Sequence, residues 1–278
     1  MPVIVVAGQP GAGATTVAVG LAHRIAYSGR AVRIARLGSD DRAAADAATF
    51  GMLDFAEAVD GADIAAGSAA VTVVEAPAGA DAGALAAQQG ARLVTVGREG
   101  SDAPGGGVLH LTTHADGSGP LRIPEDRTLA APMVGELVEA SRAQVVVRST
   151  EGDAAICRHI VVGPIAPVEG DDYFGRYPDS AVVTRAEKVD VALAAMRVDP
   201  VCLILSGGSE PSPYLLDRVA ASRGTTLLVA PEGTVETVRD IEGSFGRSPF
   251  GHEAKVERIG ELMAAAVDDA ALATLLGG

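Results

Sequence analysis

The chain has 278 residues, enough for one large core or two modest ones, and 48% of them are hydrophobic. No segment approaches the roughly 20 consecutive apolar residues of a membrane span, and the start lacks the charged lead and apolar run of a signal peptide, so the expected location is the cytoplasm with no membrane partner. A net charge of -14 without a basic stripe excludes nucleic acid as a partner, because binding to a phosphate backbone depends on clustered cations.

The opening stretch, MPVIVVAGQPGAGATTVAVGLAHRIA, sets the organisation. An apolar run from Val3 to Ala7 breaks into a glycine-rich turn, and Val17, Leu21 and Ile25 then follow at helical spacing. Strand, glycine turn and helix are the context in which a phosphate-binding loop is credible. Gly8, Gly13 and Thr15 fit the spacing G-x-x-x-x-G-K-[ST], with Gly11 inside the turn and Thr16 after it. The lysine position holds Ala14, and the turn contains no lysine.

Further along, AVRIARL from Ala31 to Leu37 reads as a second strand. The alanine-rich, acidic stretch from Asp40 to Ala66 reads as helical. VTVVE from Val71 to Glu75 has the form of a short buried strand closed by Pro77 and Gly79. A helix over Gly83 to Gln89 then crosses to a parallel strand, Arg92 to Val96. Strands alternating with helices predict a doubly wound parallel sheet. Gly97 to Gly119 is a loop-rich belt around the short run VLHLT, which makes the first domain look abbreviated. After PLRIPEDR a helix follows near Pro132 to Arg142, and the domain boundary is placed between 128 and 129.

The second half has its own strand–helix rhythm. Gln144 to Arg148, Ile160 to Val162, Ser180 to Thr184, Val201 to Leu205 and Thr226 to Val229 are strand candidates. Helices fit Lys188 to Met196, Pro213 to Ala221 and Thr234 to Glu242, and the tail from Arg258 to Gly278 reads as one amphipathic packing helix. Strand ends carry small residues, and ligands of open α/β sheets collect there, so these loops are where a second pocket would lie; glycine turns are also ordinary strand-to-helix punctuation. Cys157 and Cys202 lie in apolar segments without metal-ligand spacing and read as buried free thiols. His23, His110 and His114 have no partner at ligand or triad spacing, and His159 beside Cys157 and Arg158 lacks the acid and glycine elbow of a nucleophile site.

Two stretches carry a family likeness. LRIPEDRTLAAPMVGELVEA, continuing into IVVGPIAP and YFGRY, resembles the junction that follows the P-loop domain of dethiobiotin-synthetase-like proteins. AVVTRAEKVDVALAAM, with VCLILSGGSEPSPYLLDRVAASRGTTLLVAPEGTVETV, resembles a DRTGG domain. The literal five-letter signature does not occur; the nearest string, Asp126-Arg127-Thr128, continues as Leu129-Ala130 and belongs to the junction. Together the two resemble the N-terminal region of long phosphate acetyltransferases and stand-alone archaeal relatives. The resemblance implies an α/β fold: an abbreviated P-loop NTPase-like parallel-sheet domain over 1–128, then a smaller α/β DRTGG domain with a C-terminal helix over 129–278. It implies ATP or another adenine nucleotide with Mg²⁺ at Gly8, Gly11, Gly13, Ala14, Thr15, Thr16 and Arg36. Thr15 and Glu75, in VVEAPAG, match the metal-holding positions, and Arg36 falls near a lysine of the family. In the DRTGG half, Arg185, Ser206, Gly207, Gly208, Ser212 and Thr234 form a second candidate site for an anionic ligand. Related domains pair, so a homodimer is expected.

Three readings follow. The first is a non-catalytic nucleotide- or metabolite-binding regulatory protein, since the transferase domain of the long acetyltransferases is expected to be missing and Ala14 removes the charge that serves a transferring phosphoryl group. The second is an ATP-dependent, carboxylate-activating enzyme of the dethiobiotin-synthetase type, with Arg36 substituting for the lost cation. The third is a structural or assembly role without ligand.

Overall fold

Short apolar runs become parallel strands wherever both of their faces find cover. The computed structural model describes residues 2–38, 41–61, 64, 70–101, 105–163 and 173–277, and it divides into two compact α/β units, Met1–Leu129 with Pro249–Gly278, and Ala130–Ser248. Among the described residues the first unit holds a seven-stranded parallel sheet in the order β3-β2-β4-β1-β5-β6-β7. Its strands are β1 (Val3–Gly8), β2 (Val32–Arg36), β3 (Glu57–Ala58), β4 (Val71–Glu75), β5 (Arg92–Arg98), β6 (Leu109–Ala115) and β7 (Arg122–Pro124).

Alternation along the strands sorts the core into two layers. Ile4, Val6, Ile34, Val73 and Val94 meet helix α1 (Ala14–Ala26) and a late helix, Glu253–Ala266. Val5, Ala7, Ala35, Val74 and Leu93 face the other way, where Ala82 and Ala86 of α3 (Ala82–Gln88) cover them. The sheet is therefore doubly wound, as the strand–helix rhythm predicts.

Three features depart from the sequence reading. The helix expected over Asp40 to Ala66 is α2 (Asp41–Phe50), after which Gly51 opens a turn and the two-residue edge strand β3 follows; residues 40, 62–63 and 65–66 of that stretch lie outside the described residues. The loop-rich belt carries β6, whose first half comes from the VLHLT run, and β7 comes after it. Residues 102–104 of the belt also lie outside the description. The tail is two helices rather than one. Val267 is extended, and Asp268 caps a new helix by accepting from Ala271 N at 2.8 Å.

The tail also belongs with the first unit, although the sequence groups it with the second half. Gly20 of α1 is the reason it fits so closely there. A Cβ at Gly20 would lie 2.7 Å from Met263 Cε and 2.8 Å from Ile259 Cγ1, so the absent side chain is what lets the late helix approach α1.

α4 (Arg127–Ala130) marks the passage into the second unit. Its described sheet has the order β8-β12-β11-β10-β9, built from β8 (Gln144–Val147), β9 (His159–Val162), β10 (Ser180–Arg185), β11 (Cys202–Ser206) and β12 (Thr226–Ala230). All pairings are parallel except β8 with β12. Leu203 and Leu205 face α6 (Val189–Ala195) and α7 (Pro213–Ser222), while Cys202 and Ile204 face α5 (Val134–Ser141) and α8 (Thr234–Glu242). Both cysteines are free and buried, and burial pushes both thiols far above their ordinary range, so neither is a nucleophile. The part of the family-like stretch at residues 164–172 lies outside the described residues. The late helices of the first unit are α9 (Glu253–Ala266) and α10 (Asp269–Leu276).

Candidate functional site

The turn between β1 and α1 is built by close approach. Gly8 stands opposite Val96 of β5, and a Cβ there would lie 2.9 Å from Val96 O and 3.2 Å from Val96 Cβ. Any larger residue would push the loop off the neighbouring backbone. Ala12 N donates to Gln9 O at 3.0 Å and closes the turn. Gly11 and Gly13 both have φ of 78°, and Gly13 is the N-cap of α1 without a side-chain cap.

The first amides of a helix have no intrahelical acceptor, and here Ala14, Thr15 and Thr16 begin the helix. The first turn of α1 contains no acidic residue that would offset the positive end of its dipole. The mouth of the turn is thus a concentration of N–H groups, suited to an anion. Ala14 occupies the place where the motif has lysine and packs, half-buried, against the apolar core.

Thr15 and Glu75 are brought together although 60 residues separate them. Thr15 Oγ1 donates to Glu75 Oε1 at 2.9 Å, because β4 runs beside β1 and ends at Glu75 just under the start of α1. One hydroxyl and one carboxylate oxygen at that separation fit a Mg²⁺ ion, whose octahedral shell at about 2.1 Å sets adjacent ligand oxygens about 3 Å apart. Among the described residues no group of three His, Cys, Asp or Glu side chains is arranged to hold a metal.

Arg36 is turned away from the role of a phosphate clamp. It sits in register with Glu75 on the adjacent strand β2. Its Nε lies 3.2 Å from Asp46 Oδ2 of α2 and 3.8 Å from Glu75 Oε2, and its Nη1 donates to Leu37 O at 3.0 Å. Side-chain exposures of 3% for Arg36, 4% for Glu75 and 17% for Asp46 make this a buried charge cluster rather than an arm reaching into the mouth. The guanidinium also competes with a metal for Glu75.

Two residues here carry no sequence signal. Asp46 lies in an alanine-rich helix and shows itself only through Arg36. Thr113, from the belt, is buried on β6, and its Oγ1 lies 2.8 Å from Ala12 O and 3.2 Å from Gly97 O. His114 follows at φ 51°, with Nδ1 3.4 Å from Thr113 Oγ1; burial first, then the charge of Arg98, lowers its pKa against the opposing pull of Glu125. His110 Nδ1 is 3.0 Å from Thr95 Oγ1, a hydrogen bond within the sheet.

The second candidate site is partly assembled. Arg185 and Ser206 are register partners at the ends of β10 and β11, Arg185 exposed and Ser206 buried. Ser206 Oγ lies 3.2 Å from Thr184 O and 2.8 Å from Thr234 Oγ1, at the first residue of α8. Ser212 acts as the cap of α7, accepting from Leu215 N at 3.3 Å. The glycine amides are engaged. Gly207 N donates to Glu232 O at 2.7 Å and Gly208 N to Ala230 O at 2.9 Å. Around the strand ends, Glu232 pairs with Arg142 at 3.1 Å and Glu236 stands in the first turn of α8.

Residues 136–244 match the family model of the DRTGG domain, a span that falls within the second unit. Among solved structures the chain is similar to the CBS and DRTGG domains of the regulatory region of Clostridium perfringens pyrophosphatase, a structure complexed with the activator diadenosine tetraphosphate. That similarity has 16% identity and a TM-score of 0.35, and it covers 46% of this chain and 53% of that one, so this chain spans about half the length of that structure. Among the described residues no helix is long and apolar enough to cross a membrane.

Proposed function

We propose that this chain is a non-catalytic regulatory protein whose β1–α1 turn holds the phosphate end of an adenine nucleotide or a similar anionic metabolite. Its DRTGG unit, joined to that front unit, is the regulatory element, as in the N-terminal region of long phosphate acetyltransferases that the sequence resembles. A single observation carries the reading. The turn keeps its amides and its Thr15–Glu75 pair, yet Ala14 has replaced the cation and Arg36 is held by Asp46, Leu37 O and Glu75.

Binding and turnover need different things from such a turn. Amides at a helix start hold a phosphate without a lysine. A leaving phosphoryl group requires preorganised positive charge, and losing one such group costs about 2.7–4 kcal/mol, or about 10²–10³ in rate. Thr15 and Glu75 are the residues that would hold Mg²⁺, which when bound supplies charge against the phosphates; Thr15 orients its hydroxyl on Glu75, and Arg36 keeps Glu75 in place.

Thermal unfolding with ATP, ADP and pyrophosphate, each with and without MgCl₂, tests the reading alongside phosphate release from the same samples. The expected result is a raised midpoint, by mass action on the folded state, with phosphate release at the level of the blank. No shift with any of the three ligands would remove the proposal.

The Thr15–Glu75 pair also favours a second reading, an ATP-dependent enzyme that activates a carboxylate. Mg²⁺-dependent ATP consumption that vanishes in Glu75→Ala would establish it over the first.

A further inference from the structure

Glycine at position 13 creates a problem that the turn itself does not solve. The peptide between Ala12 and Gly13 is free to rotate, because glycine tolerates φ of either sign, and only one of its two orientations offers the Gly13 N–H to an anion. In a trans peptide the carbonyl and the following N–H point in opposite directions. Whatever fixes Ala12 O therefore also aims Gly13 N–H.

Thr113 does this from 101 residues away. Its hydroxyl lies 2.8 Å from Ala12 O, closer than the 3.2 Å to Gly97 O, and the residue is buried, so water does not compete for the proton. The methyl group stands against the same turn, 3.7 Å from where a Cβ of Gly13 would be. Gly13 N has no acceptor among the described residues. We infer that Thr113 is a positioning residue of the anion site: by holding the Ala12 carbonyl inward it turns the Gly13 amide outward into the mouth, beside the first amides of α1. The inference rests on the proposed phosphate-binding role of the turn and adds to it a determinant from β6, which no glycine-loop motif contains. It gives a physical reason for binding to survive the lost lysine, since the amides are aimed before the ligand arrives.

Thr113→Val separates the hydroxyl from the packing, because valine keeps the methyl and is close to isosteric, while Thr113→Ser keeps the hydroxyl and drops the methyl. Dissociation constants for pyrophosphate and ATP are measured by calorimetry on the whole chain. Losing one hydrogen bond that sets the amide should weaken binding about tenfold in Thr113→Val, with Thr113→Ser restored to within about twofold of wild type. A threonine that served stability alone would lower the unfolding midpoint of Thr113→Val and leave its dissociation constants unchanged. That result overturns the inference and leaves the phosphate-binding reading standing. Failure of the wild type to bind either probe removes that reading and this inference with it. Should Thr113→Val not fold, the wild-type amide spectrum decides: a downfield shift of the Gly13 N–H on adding pyrophosphate supports the inference, and an unmoved Gly13 resonance overturns it.

Discussion

Replacing Arg36 by methionine distinguishes a structural guanidinium from a ligand-binding one. Methionine keeps most of the apolar stem and removes the charge that lies 3.2 Å from Asp46 and 3.8 Å from Glu75. Breaking a buried ion pair by deleting one partner costs about 3–5 kcal/mol, because a charge stays behind out of water. Asp46 is 17% exposed and retains some hydration, which favours the lower end, about 3 kcal/mol. In a unit of about 160 residues each kcal/mol moves the midpoint by about 2–4 °C, so a drop of about 6–12 °C is expected. Differential scanning calorimetry measures it, and titration of pyrophosphate at a temperature where the variant is folded shows whether the mouth still works. Binding should stay within a few-fold of wild type. A midpoint within about 2 °C of wild type, together with lost pyrophosphate binding, would refute the argument: Arg36 would then reach the ligand, and the charge cluster would not describe its working state.

Gly8→Ala should cost about 1–3 kcal/mol and abolish the nucleotide-induced shift, since its Cβ meets Val96 O, a backbone atom that cannot turn aside; unchanged thermal melts would show that the turn has slack. Ala14→Lys should tighten pyrophosphate binding about tenfold, as a charged hydrogen bond adds about 1.5–3 kcal/mol less the cost of ordering the side chain; an unchanged dissociation constant by calorimetry would mean that the turn has lost more than its ammonium. His23 is stacked on Tyr27 with ring centroids 4.2 Å apart, and burial lowers its pKa against the pull of Asp54. His114 is also lowered, mainly by burial. Below the ordinary value of 6.5 the unfolded chain takes up protons that these two imidazoles resist, so stability should fall as pH drops from 6.5 through their folded-state values. Urea unfolding at a series of pH values checks this, and His23→Phe with His114→Gln should flatten that part of the profile.

Strands buried on both faces were the easiest elements to read, because VTVVE is short and rich in valine and VCLIL is an unbroken apolar run, each with turn residues behind it. Helix α8 was legible to the residue, with Gly233 before it and Gly243 after it. Local signals also existed where the reading went astray: Gly51 to stop α2, and Asp268 with its capping geometry to restart the chain after α9. The helical pattern of alanine and acidic residues outweighed both. The return of the tail to the first unit had no local signal, since it depends on the fit of Gly20 against Ile259 and Met263. The site was legible in the same uneven way. The family resemblance pointed to Thr15 and Glu75 as metal-holding positions, and the structure sets the two side chains 2.9 Å apart. Arg36 was expected as a phosphate-binding cation by resemblance, but its direction depends on Asp46, which sequence alone leaves anonymous. Thr113 depended on strand order, which brings β6 beside β5 at the end where the turn emerges.

The two units answer the same construction problem differently, and the difference bears on where the proposed phosphate would bind. Each ends parallel strands in small residues below a helix start, so outline alone makes both look like anion sites. In the second unit the Gly207 and Gly208 amides already donate to Glu232 O and Ala230 O, and the hydroxyls of Ser206 and Thr234 lie 2.8 Å from each other. A phosphate arriving there would have to break backbone hydrogen bonds, each net worth about 1 kcal/mol, and meet the carboxylates of Glu232, already paired with Arg142, and Glu236. In the first unit Gly13 N has no acceptor among the described residues, α1 has no acidic residue in its first turn, and Gly8 and Thr113 fix the shape of the glycine turn. Preorganised donors bind without the cost of rearrangement. On that ground the β1–α1 turn is the better candidate for the proposed phosphate, and a ligand of the second unit would meet Arg185 and the Ser206–Thr234 hydroxyls instead of a glycine nest.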